Sequence, residues 1–129
     1  MLNQSRITTI LPVADITRAR RFYEDKLGLH AASTRPDGSV ILTGDQGSLE
    51  LLPRPEARAS GFTVASFEVS DVAGEVKELE GRGVHFEDYD LPELKTVEHV
   101  CVLGSERAAW FKDPEGNVLC IHEGPATEQ

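Results

Sequence analysis

The sequence repeats itself. Val13-Ala14-Asp15-Ile16 returns as Val69-Ser70-Asp71-Val72, 56 residues on, and Gly28-Leu29-His30 returns as Gly83-Val84-His85, 55 residues on. In a chain of 129 residues this leaves room for two copies, a connector and tails. An internal duplication constrains a fold more than any single element does. A copy this small has one sheet and one helix. The helix can cover one face of the sheet, and the other face must pair with something. Two such sheets facing each other would make a cleft.

Residue patterning gives the same grammar twice. The first copy reads as a strand over 6–12, then a helix opened by the Asp15 carboxylate and stopped at Gly28. Ile16, Ala19, Phe22, Tyr23 and Leu27 fall on one face of that helix. Strands follow over 30–34, 39–43 and 48–52, separated by Gly- and Asp-rich turns. Residues 54–61 show no apolar periodicity and read as a linker. The second copy has a strand over 62–69 and a helix capped by Asp71 and ended by Gly83. Strands are predicted over 84–88, 96–103, 107–112 and 118–122, with 91–94 as a loop and the tail from Glu123 frayed. The expected fold class is α+β, one domain over 1–129. It comprises two β-α-β-β-β modules, about 5–53 and 62–124, whose mixed sheets curve around a cleft with the helices outside.

Charge removes whole classes of partner. Lys and Arg number 13 against 22 Asp and Glu, a net charge of −9. Nucleic acid and anionic membrane surfaces both call for a basic face. No run approaches the roughly 18 apolar residues of a spanning helix, and the first residues lack the apolar core of a signal peptide. Cys101 and Cys120 have no CxxC spacing, so a reduced, cytoplasmic protein is expected.

Three segments carry a likeness: Leu11-Pro12-Val13-Ala14-Asp15-Ile16, then Phe22-Tyr23 with Leu27-Gly28-Leu29, then Trp110-Phe111-Lys112-Asp113-Pro114-Glu115-Gly116-Asn117. In this order on a duplicated frame, over about residues 6–123, they resemble the vicinal oxygen chelate superfamily. That superfamily includes glyoxalases, bleomycin-resistance proteins, fosfomycin-resistance enzymes and extradiol dioxygenases. The last segment looks like the family's Asp-Pro-x-Gly-Asn hairpin. It is also a good turn on its own, since Pro114 fixes φ and Gly116 tolerates positive φ.

In metal-using members, the resemblance implies a divalent metal held from the first and last strands of each half. Carried over by position, the ligand sites fall on Thr8, Glu50, Val64 and Cys120. Only Glu50 is a usual ligand there, and Val64 cannot bind metal. No cofactor is therefore expected, although a non-standard divalent site of Glu50, Cys120 and His122 stays open. Against that set, side chains two apart on a strand stand roughly 6.6 Å apart and rarely share one ion. His30 and His85, at equivalent repeat positions, read as exposed strand-edge residues.

Alternation places Thr8 and Ile10, then Glu50, then Val64, Ser66 and Glu68, then Cys120 and His122, on the strand faces away from the helices. Glu50, among apolar neighbours, suits a general base or a hydrogen-bonding anchor, against a solvated carboxylate with no role. Cys120 and Cys101 read better as buried small apolar residues than as nucleophiles. Trp110, Phe111, Tyr89 and His99 are candidates to line an apolar pocket, at least one of Trp110 and Phe111 being core by alternation. The 88–92 segment could form a lid or a plain surface loop. The expected function is binding of a small hydrophobic or aromatic ligand through Thr8, Ile10, Glu50, Val64, Ser66, Trp110, Cys120 and His122, without the family's metal. The alternative is a lyase, isomerase or dioxygenase type of enzyme with Glu50 as general base or a non-standard metal site. A third reading is a structural or regulatory domain that has lost its site. Small two-module members of the family imply a homodimer.

Overall fold

A computed structural model describes residues 1–124. The chain divides into two compact units, the first Met1–Ala59 and the second beginning at Ser60. In the first, β1 (Thr8–Val13) leads through Asp15 into α1 (Ile16–Arg21). The Asp15 carboxylate accepts from the Arg18 backbone N–H at 3.0 Å, which satisfies one donor that a helix start leaves free. α1 runs on as a π-helical turn, Phe22–Lys26. Gly28, at φ 75°, closes it, and the Leu29 N–H reaches back to the Tyr23 carbonyl at 3.0 Å. Then come β2 (His30–Thr34), β3 (Val40–Thr43) and β4 (Ser48–Pro53). Sheet order is β1-β4-β3-β2, with β1 parallel to β4 and the other pairs antiparallel. Leu11, Val13, Val40, Leu42, Leu49 and Leu51 are buried on one face, and Ala19 and Tyr23 supply the helix side of that core. Period-2 alternation on the strands and helical spacing on α1 produce this division.

The second unit rebuilds the plan with β5 (Thr63–Val69), α2 (Val72–Gly81), β8 (Cys101–Leu103), β9 (Glu106–Lys112) and β10 (Val118–Glu123) in the order β5-β10-β9-β8. Val72, Val76 and Leu79 of α2 are buried, as are Ala109, Phe111, Leu119 and Ile121 of the sheet, and α2 packs on β9 and β10. Two carboxylates cap α2: Asp71 accepts from the Gly74 N–H, and Glu123 from the Val72 N–H at 2.9 Å. Glu123 therefore belongs to the last strand and not to a frayed tail; the rest of that expectation, beyond Gly124, lies outside the described residues. In the β9–β10 hairpin, Asp113 accepts from the Glu115 and Asn117 backbone N–H groups and the Asn117 amide, which locks the turn.

The two units differ at one sheet edge. The starts of β1 and β5 are 55 residues apart, those of β4 and β10 are 70 apart. The extra residues fall after α2. The strand expected over 84–88 survives only as one bridge, Phe86 with Phe111, and a Glu87 N–H bond to the Trp110 carbonyl. The strand expected over 96–103 shrinks to β8. Between them the chain leaves the sheet and forms a small hairpin, β6 (Asp90–Leu91) and β7 (Leu94–Lys95), where a loop or lid was expected. It then makes a tight turn in which Val97 and Val100 exchange backbone bonds. Glu98 and His99 occupy that turn at φ 51° and 73°. Period-2 reading cannot detect this, because the broken edge keeps strand-forming residues on both sides of the excursion.

Candidate functional site

Each sheet has a face turned away from its own helix, and strand register decides which side chains meet there. In the first unit Ile10, Glu50 and Ile41 lie directly across from one another, and Thr8, Ser48 and Thr43 form the next row. The Thr8 and Ser48 hydroxyls are 3.4 Å apart. Glu50 is 8% exposed, although Ile10 beside it is 54% exposed. The Arg35 Nε stands 3.5 Å from a Glu50 carboxylate oxygen. Arg35 sits at the start of the β2–β3 turn, where its N–H bonds the Ser39 carbonyl at 2.8 Å. Asp37 in the same turn accepts from the Ser39 N–H at 2.9 Å. That backbone bond, with the nearby Arg54 and Arg35 charges, holds its carboxyl below the usual range.

In the second unit Ser66, Cys120 and Trp110 lie in one row, and His122 is one step along, opposite Glu68 and Ala108. The Ser66 Oγ and His122 Nδ1 are 2.6 Å apart, a firm hydrogen bond. Burial pushes the Cys120 thiol up, partly offset by hydrogen bonds from Ser66 and the Ala109 backbone. Val64 falls at a bulge: β10 pairs Val118 with Thr63 and Leu119 with Ala65, so Val64 has no register partner. Trp110 meets Tyr89 edge to face, ring centroids 5.6 Å apart. Burial raises the Tyr89 phenol above its ordinary value, with the Glu87 and Cys120 charges adding to it.

Among the four aromatics read as pocket-lining, Trp110 and Tyr89 come together. Phe111 is fully buried in the core against Phe86. His99 is also removed from that group. It lies against α2, with Nε2 3.1 Å from Glu80 and Nδ1 3.0 Å from Asp88. Its left-handed backbone turns the ring that way, which strand alternation could not show. Arg35 was not legible as a site residue, because one arginine in a turn carries no pattern. Thr8, Ile10 and Glu50 share the first unit's face; Ser66, Trp110, Cys120 and His122 share the second's.

A divalent metal fits these residues poorly. Among the positions carried over for it, Val64 has no ligating atom, and Cys120 is a buried thiol with hydrogen bonds of its own. Among the described residues, no three His, Cys, Asp or Glu side chains are grouped so that they could hold an ion. No helix among them is long and apolar enough to cross a membrane.

The fold and these faces define a class, and comparison with known proteins names it. Residues 5–121 match the model of the Glyoxalase/Bleomycin resistance protein/Dioxygenase superfamily, and the chain belongs to that superfamily. No curated protein matches. Among solved structures, the chain is similar to a member of the same superfamily from Sphaerobacter thermophilus DSM 20745, with 24% identity, TM-score 0.71, and 96% of this chain and 100% of that one covered. It is similar to TnmS3, an antibiotic binding protein from Streptomyces sp. CB03234, at 22% identity and TM-score 0.70, covering 97% and 99%. A lactoylglutathione lyase from Agrobacterium tumefaciens gives 20% identity and TM-score 0.70, covering 98% of both. At these identities the likeness establishes the fold.

Proposed function

We propose that this protein binds a small hydrophobic or aromatic molecule and works without its family's divalent metal. The carrying observation is the second unit's row of Trp110, Cys120 and Ser66, with Tyr89 packed on Trp110 and His122 one step along. Two aromatic rings give apolar stacking area at little entropic cost, and a fixed Ser66–His122 pair adds one oriented polar contact. Thr8, Ile10 and Glu50 are proposed as ligand contacts on the first unit's own face, and Val64 as one on the second's. A neighbour on the same fold that is an antibiotic binding protein supports the reading.

Trp110 is the one tryptophan in the sequence, so its fluorescence reports directly on this face. Titration with 4-nitroanisole should quench it saturably, and Ser66→Ala should weaken the binding of polar analogues. Linear, unsaturable quenching would refute the reading. For the metal, addition of Zn2+, Ni2+ or Mn2+ to protein freed of metal should leave the Tm unchanged. A stoichiometric ion that raises the Tm would overturn that part.

Burial of Glu50 favours a second reading, an enzyme of lyase, isomerase or dioxygenase type with Glu50 as general base. It predicts turnover that Glu50→Gln removes while binding remains. We further infer a cytoplasmic homodimer. Two free, buried cysteines suit a reducing compartment. The edge strand β8 exposes Val102 and Leu103, an apolar edge that pairing would cover. Sedimentation equilibrium tests the dimer.

A further inference from the structure

We propose that Glu50 anchors the cationic group of an organic amine or guanidine with an apolar body, and that Arg35 stands in for that group when no ligand is bound. This deepens the small-molecule reading and rests on it for access of ligand to the first unit's sheet face.

A carboxylate this buried needs a partner, because desolvating an unpaired charge is costly. Arg35 is the cation paired with it among the described residues, and it is held loosely. The contact is single, through Nε, at 3.5 Å, and the Arg35 side chain is 58% exposed. It lacks the paired bonds of a guanidinium fork on a carboxylate, so little is lost when it leaves. The displaced guanidinium also has a second carboxylate in its own turn, Asp37, two residues along.

The neighbours select the occupant. Ile10 and Ile41 flank Glu50 in register, and the Thr8 and Ser48 hydroxyls lie one row away on the same face. A hard metal ion calls for several oxygen donors and gains nothing from isoleucines. An ammonium or guanidinium on an apolar frame uses one carboxylate, two apolar walls and neutral hydroxyl acceptors. A net charge of −9 attracts such a cation over distance.

The test uses the full chain, with benzylamine as probe and benzyl alcohol as its neutral counterpart. Binding is read by calorimetry and by amide NMR shifts at Ile10, Ile41 and Glu50. Benzylamine should shift these amides and benzyl alcohol should not. Arg35→Ala removes the competitor and should tighten benzylamine binding about three- to sixfold, the reverse of what a merely structural arginine would give. Glu50→Gln should abolish binding in either background. Unchanged or weaker binding in Arg35→Ala would overturn the proposal, as would wild-type binding in Glu50→Gln. Arg35 is exposed, so its variant keeps the test valid if the Glu50 variant fails to fold. Saturable quenching of Trp110 by 4-nitroanisole without any benzylamine response would leave the aromatic face standing and remove the cation anchor alone.

Discussion

The first unit's helix-free sheet face carries one buried charge between two isoleucines. The second unit's carries a serine, a thiol, an imidazole beside the exposed Glu68, and the Trp110 ring with Tyr89 packed on it. Behind those faces the units match: the same strand order, the same parallel pair, an aspartate capping each helix and aliphatic residues packed beneath it. The difference shows where a duplicated fold is free to change. The helix-side residues are tied by packing, and the opposite faces diverge without disturbing that core. The second unit also lengthened at its sheet edge, in the segment that brings Tyr89 onto Trp110.

Mutation can test the equivalence of the two cores first, because the effects there are largest. Leu51 and Ile121 are both buried in the strand parallel to the opening one. Leu51→Ala and Ile121→Ala should each cost about 2–5 kcal/mol by urea denaturation. A loss below about 1 kcal/mol in one unit alone would show that its core is not the counterpart of the other.

The edge excursion comes next. Glu98 has a left-handed backbone without being glycine, so Glu98→Gly should stabilise the protein by about 1 kcal/mol, seen as a higher Tm. His99→Ala removes contacts to Glu80 and Asp88, which are 41% and 62% exposed, so the loss should stay near 1 kcal/mol. It should be accompanied by faster hydrogen exchange over 88–100. Uniform exchange across the chain would mean that His99 does not hold this segment in place.

The polar row gives smaller effects. Ser66→Ala should cost no more than about 1 kcal/mol but change the His122 tautomer balance in 15N NMR spectra. An unchanged spectrum would show that Ser66 does not orient the ring. For Cys120 the folded thiol lies above its ordinary value, so between the unfolded and folded values the native state holds the extra proton. Its contribution is complete below the unfolded value and is lost as pH rises through the folded one. Cys120→Ala should therefore flatten the decline in Tm on the alkaline side. An unchanged slope would remove Cys120 as its source.

Much of the fold was readable in advance because its signals are local. Asp15 and Asp71 marked helix starts, Gly28 and Gly83 marked their ends, and alternation put Glu50 and Cys120 opposite the core residues Leu51 and Ile121. The site was less legible. Trp110 and Phe111 are adjacent aromatics, and only pairing with β10 decides which is core. Arg35 and Tyr89 reach their partners from irregular segments, where neither period applies. His99 reads as a strand residue and is instead turned by two successive positive φ angles.

The sequence by itself determined the duplication, the two capped helices and the faces on which the polar residues fall, because caps and periodicity depend on neighbours within a few positions. Tertiary structure alone decided that Ser66 bonds His122, that Tyr89 meets Trp110 and that Arg35 covers Glu50. Each of those contacts depends on strand register or on the path of a turn, and side chains far apart in the chain meet only once the sheets have formed.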